Sequence, residues 1–167
     1  DGKNILDMGT GEAESDPHYC DATDELYVNV ILFSGSVGNQ KMTDQNIAVM
    51  KNGKTTTLGQ PINGPDSTDF QPFLTDDGQT MYFTSSRDSL PGNIFPFQIY
   101  RSKRIGELEW GEPELFISFP KNKDKQGGIG EFGMTRDGKQ IVFTELKINK
   151  KDGKYIGQTE IYYAEKK

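Results

Sequence analysis

Three observations in the sequence predict an all-β chain. Helix periodicity is nearly absent: no stretch of roughly eleven residues places apolar side chains at i, i+3, i+4 and i+7. Short runs rich in β-branched and aromatic residues appear instead, separated by Gly, Asn, Asp and Pro. The chain also repeats itself at spacings of 55 and 60 residues.

The strand-like runs are 26–33, 45–50, 55–58, 80–84, 98–102, 140–145 and 160–164. Each has the length of a strand. Asn52-Gly53, Asp77-Gly78, Asp137-Gly138 and Asp152-Gly153 read as tight hairpin turns. Gly tolerates positive φ, as Asn and Asp do to a lesser extent. Residues 15–28 align without a gap on 70–83, so that Pro17 meets Pro72, Asp21 meets Asp76 and Leu26-Tyr27-Val28 meets Met81-Tyr82-Phe83. A third copy follows, with Asp137-Gly138 on Asp77-Gly78 and Ile141-Val142-Phe143-Thr144 on Met81-Tyr82-Phe83-Thr84. Within each unit a further strand recurs: Ile47-Ala48-Val49 corresponds to Ile99-Tyr100-Arg101 and to Ile161-Tyr162-Tyr163. A fourth strand is expected at 55–58 in the first unit and at 112–116 in the second, whereas the third stops at Lys167 before any fourth strand.

The expected unit is thus a four-stranded antiparallel sheet. Such a unit cannot bury both faces alone, so copies must pack face to face around an axis, which describes β-propeller blades. The expected organisation is an N-terminal segment 1–14, blades at 15–66 and 67–128, and a third blade at 129–167 lacking its fourth strand. Residues 4–8 are a candidate closing strand for another blade. Closed propellers have roughly 4–8 blades, so about three blades imply an incomplete ring or one completed by a partner. The chain opens at Asp1 without Met, which fits either a removed leader or a segment of a longer protein.

The segment DFQPFLTDDGQTMYFTSSRDS, followed by QIYRSK and WGEPELF, resembles the TolB-type (WD40-like) propeller repeat. SDPHYCDATDELYVNV resembles the same opening with Thr23 where Gly is usual, and EFGMTRDGKQIVFT resembles it with Phe132 and Gly133 near the expected Pro. The resemblance implies a bacterial periplasmic or envelope protein whose blades support protein–protein contacts. No cofactor is expected.

Composition narrows the function classes. The chain has 167 residues, 19 Lys and Arg against 25 Asp and Glu, and a net charge of −6. Acidity without a basic cluster disfavours nucleic acid as a partner. Aromatics at 11% argue for a packed core, and no apolar run approaches the roughly 18 residues of a membrane span. A single Cys20 and a single His18 rule out a disulfide framework and a His/Cys zinc cage built from this chain alone.

Candidate chemistry falls into two classes. The leading expectation is a non-catalytic scaffold or complex subunit that binds another protein through its blade loops, at 34–44, 86–97 and 146–159. Loops of that length are often functional. The middle one is rich in large apolar residues, so Leu90, Ile94, Phe95 and Phe97, with Trp110, are the interface candidates. Lys147, Lys150, Lys151 and Lys154 make the third loop basic. The alternative is a carbohydrate-binding or glycoside-hydrolase-like propeller using Asp16, Asp69 and Glu131, since a glycosidase needs two carboxylates roughly 5–10 Å apart. Asp16 aligns with Gln71 and Glu131, which favours a role in the repeat itself. His18 aligns with Phe73 and Gly133, which points to packing. The acidic turns at Asp21, Asp24, Asp76 and Asp77, and the segment from Asn122, read as solvated loops, so no metal is expected. Arg87 is expected to pair with a neighbouring Asp and brace adjacent blades.

Overall fold

A computed structural model describes residue 10 and residues 12–34, 41–88, 95–120 and 126–165. Among these residues the fold is all-β, with three antiparallel sheets. The first contains β1 (Ala13–Cys20), β2 (Glu25–Ser34), β3 (Lys41–Lys51) and β4 (Lys54–Thr57), in that order. The second runs β5 (Asp69–Leu74), β6 (Thr80–Ser85), β7 (Gln98–Gly106) and β8 (Glu109–Trp110), with β9 (Glu114–Ile117) also paired to β7. The third has β10 (Gln126–Met134), β11 (Gln140–Lys151) and β12 (Lys154–Glu165). The candidate closing strand at 4–8 lies outside the described residues.

The first strands of the three sheets share one irregularity. Asp16-Pro17 together oppose Val28, Gln71-Pro72 oppose Phe83, and Glu131-Phe132 oppose Phe143, each as a bulge in the ladder. Asp16, Gln71 and Glu131 have φ of 50°, 53° and 52°. A bulge inserts one residue and re-aims the strand, and a bulge also accommodates Pro, which has no N–H for the ladder.

Two of the turns are likewise superimposable. Thr75 Oγ1 accepts from the Thr80 amide at 3.0 Å and donates to Asp77 at 2.6 Å, while Gly78 N–H donates to Thr75 O at 2.7 Å. Thr135, Asp137, Gly138 and Gln140 make the same three bonds, at 3.1, 2.8 and 2.8 Å. Cys20 stands at the corresponding position of the first unit, and its turn closes differently, with Asp24 at φ 53°.

The sheets stack in chain order. Tyr27, Ile47 and Val49 on one face of the first sheet pack with Leu74, Met81, Phe83 and Tyr100 of the second. Tyr82 and Ile99, on the opposite face of the second sheet, pack with Ile129, Phe132, Ile141 and Phe143 of the third. Strand alternation dictates this arrangement, since neighbours along a strand point to opposite faces. The second sheet therefore has a forward face toward the third and a back face toward the first, and the corresponding faces of the other two sheets are named alike. The back face of the first sheet carries a third apolar cluster, Val28, Val30, Ala48 and Met50, all buried.

One expected loop is corrected. Residues 146–159 belong to the β11–β12 hairpin, paired in register from Leu146↔Thr159 to Lys151↔Lys154. Asp152-Gly153 closes it with φ of 52° and 76°, the two positive values that a tight two-residue hairpin turn requires. The expected runs stop at Glu145 and resume at Glu160, because the lysine-rich stretch between them reads as a loop. Similarly, β2 reaches Ser34 and β3 begins at Lys41, so the connection there is shorter than expected. The fourth strand of the second unit is β9, and the two-residue β8 precedes it.

Candidate functional site

The polar groups that chemistry could use gather where two sheets meet. Glu25, at the start of β2, is fully buried. Arg104, near the end of β7, places Nη2 2.6 Å from Glu25 Oε2 and donates from Nε to Gly78 O at 2.7 Å. Tyr27 and Thr23 hydroxyls donate to Glu25 Oε2 at 2.9 and 2.8 Å, and Lys51 Nζ lies 3.2 Å from Oε1. The Arg104 guanidinium also covers the Trp110 ring, 4.6 Å from its centroid. Burial alone would raise the Glu25 pKa, but the bonds from Arg104, Thr23, Tyr27 and Lys51 bring it below the ordinary glutamate value of 4.5. Burial drives the Tyr27 phenol above its ordinary range. A depression of about 460 Å³ opens beside this network, lined by Thr23, Lys51, Gln79 and Glu107 among others.

A second network closes the passage from the first sheet to the second. Arg87 pairs with the fully buried Asp69 at 2.8 Å and donates to the carbonyls of Pro61 and Ile62 and to Ser85 Oγ. Its guanidinium lies over Phe83 and Tyr100, at 5.0 and 5.3 Å. The other oxygen of Asp69 accepts from Gly64 N–H at 2.9 Å and Ser67 Oγ at 2.7 Å. The expected partner of Arg87 is therefore Asp69, with the connecting segment held as well.

A third cluster lies where the three repeats converge. Asp76 pairs with Arg136, its counterpart one repeat later. A cavity of about 240 Å³ lies here, lined by His18, Cys20, Leu74, Asp76 and Arg136 among others. His18 packs its ring 4.7 Å from that of Phe73. Burial lowers the His18 pKa, against the opposing effects of a hydrogen bond with the Leu74 backbone and the Asp76 charge.

The three candidate carboxylates occupy different settings. Asp16 and Glu131 are exposed, each at the left-handed position of its bulge. Gln71 shares that position and uses Oε1 to accept from Glu131 N–H and Thr84 Oγ1, both at 2.9 Å. Asp69 is sealed in the ion pair with Arg87. No group of three or more His, Cys, Asp and Glu is arranged to hold a metal among the described residues.

The aromatic interface candidates also separate. Leu90 and Ile94 lie outside the described residues. Phe97 meets Phe70 and Phe95 edge-on, at 4.8 and 4.7 Å, and Phe95 is 39% exposed. Trp110 is buried in the core between the first two sheets, against Tyr27 and Arg104. Sequence reasoning missed Glu25 and Arg104, which stand 79 residues apart. An acid opening a strand in place of Thr80 or Gln140 of the other units was the available signal.

Residues 95–97 are docked on the third sheet through backbone. Ile129 N–H donates to Phe97 O at 2.8 Å. A Cβ on Gly128 would lie 2.5 Å from Phe95 O and 2.8 Å from Phe97 N. Neither backbone atom yields easily, so Gly128→Ala is expected to cost about 1–3 kcal/mol through overpacking. Gly59→Ala, with nothing within 4 Å of its Cβ, is the control. Urea denaturation of both checks this, and equal midpoints would contradict it.

Against known proteins, no family model matches the chain and no curated protein matches it. No helix among the described residues is long and apolar enough to cross a membrane.

Proposed function

We propose that the chain is a run of TolB-type propeller blades acting as a non-catalytic scaffold, binding another protein through the loops that join its strands. The observation that carries this reading is the repeated bulge. Asp16, Gln71 and Glu131 adopt one backbone conformation at one position of three sheets, and Gln71 performs its bonding there without a carboxylate. That supports a structural role for the position. The stacking of successive sheets in chain order supports the blade reading, and the resemblance of the central repeat supports an envelope setting.

The loop that reaches Phe95 is the favoured contact surface, because a half-exposed aromatic on a backbone-anchored segment offers apolar area at little ordering cost. The test is co-purification of the chain and of Phe95→Ser from a native bacterial envelope extract. A protein retained by the wild type and lost with the variant is expected. Retention of nothing by the wild type, or turnover of a glycan panel that Asp16→Asn abolishes, would overturn the reading.

A further inference from the structure

A crevice of about 170 Å³ opens at the seam between the second and third sheets. Part of its lining is aromatic. Phe70 of β5 contributes, as do Phe95 and Phe97 just before β7. The Phe97 ring stands at 80° to Phe70 and at 87° to Phe95. In an edge-to-face pair, the ring that presents its edge keeps both faces clear of its partner, and the other ring keeps one. The lining therefore retains π-faces, the negative side of the ring quadrupole. Ile129 N–H holds Phe97 O at 2.8 Å, so the aromatic segment is fixed to the third sheet before any ligand arrives.

The polar part of the lining accepts more than it donates. The Thr84 hydroxyl gives its proton to Gln71 Oε1 at 2.9 Å, and the Thr144 hydroxyl gives its own to Gly130 O at 3.2 Å. Each then has only lone pairs to offer. The Gln71 amide group and the Thr159 hydroxyl can donate, but neither carries charge. Glu131 is the one charged residue among the described residues that line the crevice; it is exposed, on a chain of net charge −6. π-faces, acceptor oxygens and a carboxylate together favour a cation. A single carboxylate beside apolar rings is a poor match for a bare divalent ion, which takes about six or more oxygen ligands. Ile129 and Leu146, also in the lining, suit a cation that carries hydrocarbon.

We propose that this crevice binds a primary alkylammonium group. Its methylene stem lies against the rings, Ile129 and Leu146. Its ammonium head draws on the π-faces, the Thr84 and Thr144 oxygens and the Glu131 carboxylate. The lone pairs of the two threonines select an N–H donor, which a quaternary ammonium lacks. A volume of about 170 Å³ equals about five waters at about 30 Å³ each, which suits an aminobutyl group of about five heavy atoms. The same chemistry is presented by a free amine and by a lysine side chain of a protein partner. The site is built from this chain alone, so the inference does not rest on the proposed protein binding.

The test is titration of the intact chain with butylammonium chloride at constant ionic strength, followed by NMR at the amides of Gly128, Ile129 and Gly130. Saturable shifts are expected there. 1-Butanol, of the same length but uncharged, should bind about tenfold more weakly. Glu131→Gln and Phe95→Leu should each weaken the amine about threefold. Gln is compatible with the site, because Gln71 holds the equivalent bulge position at φ 53°. Equal affinities for amine and alcohol would overturn the proposal. So would the absence of saturable shifts at these amides, or an amine affinity unchanged in both variants. If a protein retained by the chain is released by butylammonium and not by 1-butanol, the ammonium is the partner's lysine. If saturable amine binding releases no protein, the ligand is a free amine. A chain that retains no protein yet binds butylammonium would fail the proposed function and uphold this site.

Discussion

Replacing Arg104 by Met is expected to cost about 3–5 kcal/mol of folding stability at neutral pH, the penalty of a buried charge stripped of its partner. Glu25 is fully buried, and Arg104 is its closest cationic contact. Lys51 remains at 3.2 Å in the variant, but it is also engaged by Glu107 at 3.1 Å. The loss should depend on pH, and the sign follows from the proton balance. In the wild type the Glu25 pKa is held below 4.5, so its contribution is complete above the unfolded value and disappears as the pH falls through the folded one. Without Arg104, burial dominates and the folded pKa rises above the unfolded value. The variant's penalty is then greatest at neutral pH and relieved by acid. Urea denaturation at pH 7 and near pH 4.5 reads both. The double variant Glu25→Gln with Arg104→Met should recover much of the loss, because a buried pair replaced as a whole is often nearly neutral. A loss unchanged by acid and not recovered in the double variant would show that Arg104 acts through packing on Trp110 instead.

Local structure was legible in the sequence where it depends on local chemistry. The Asn-Gly and Asp-Gly dipeptides mark hairpin turns because positive φ selects those residues, and Gly53, Gly78, Gly138 and Gly153 all adopt it. Short β-branched and aromatic runs bounded by turn residues placed the middle strands of each unit. Strand ends were harder. The β11–β12 hairpin continues through Lys147, Asn149, Lys150 and Lys151, where polar residues pair as strands because the backbone ladder tolerates them on open faces. β8 was missed because two residues carry no period. The networks were partly legible. Arg87 followed the repeat far enough to suggest a neighbouring acid, and the acid is Asp69. Glu25 and Arg104 come from different units and meet only because the sheets stack, so no local spacing encodes them.

Asp69 offers the sharpest separation between structural and catalytic roles for a carboxylate. Removing Arg87 as Arg87→Leu is expected to cost about 3–5 kcal/mol, because Asp69 stays fully buried with its charge uncompensated. The carbonyls of Pro61 and Ile62 lose their donor at the same time. Asp69→Asn should cost less. Arg87 keeps its two carbonyls, Ser85 Oγ and the faces of Phe83 and Tyr100, while an amide can still accept from Gly64 N–H or Ser67 Oγ. Both variants should loosen the segment before β5, read as faster hydrogen exchange at the Gly64 amide, with the larger effect in Arg87→Leu. A catalytic carboxylate behaves in the opposite way: neutralising it removes a charge held there for chemistry and leaves the fold as stable or more so. If Asp69→Asn raised the denaturation midpoint and left the Gly64 amide as protected as before, the ion pair would be a strain in the fold, and Asp69 would regain its standing as a candidate acid. Loss of stability together with faster exchange would assign the buried carboxylate to the joint between the first two sheets.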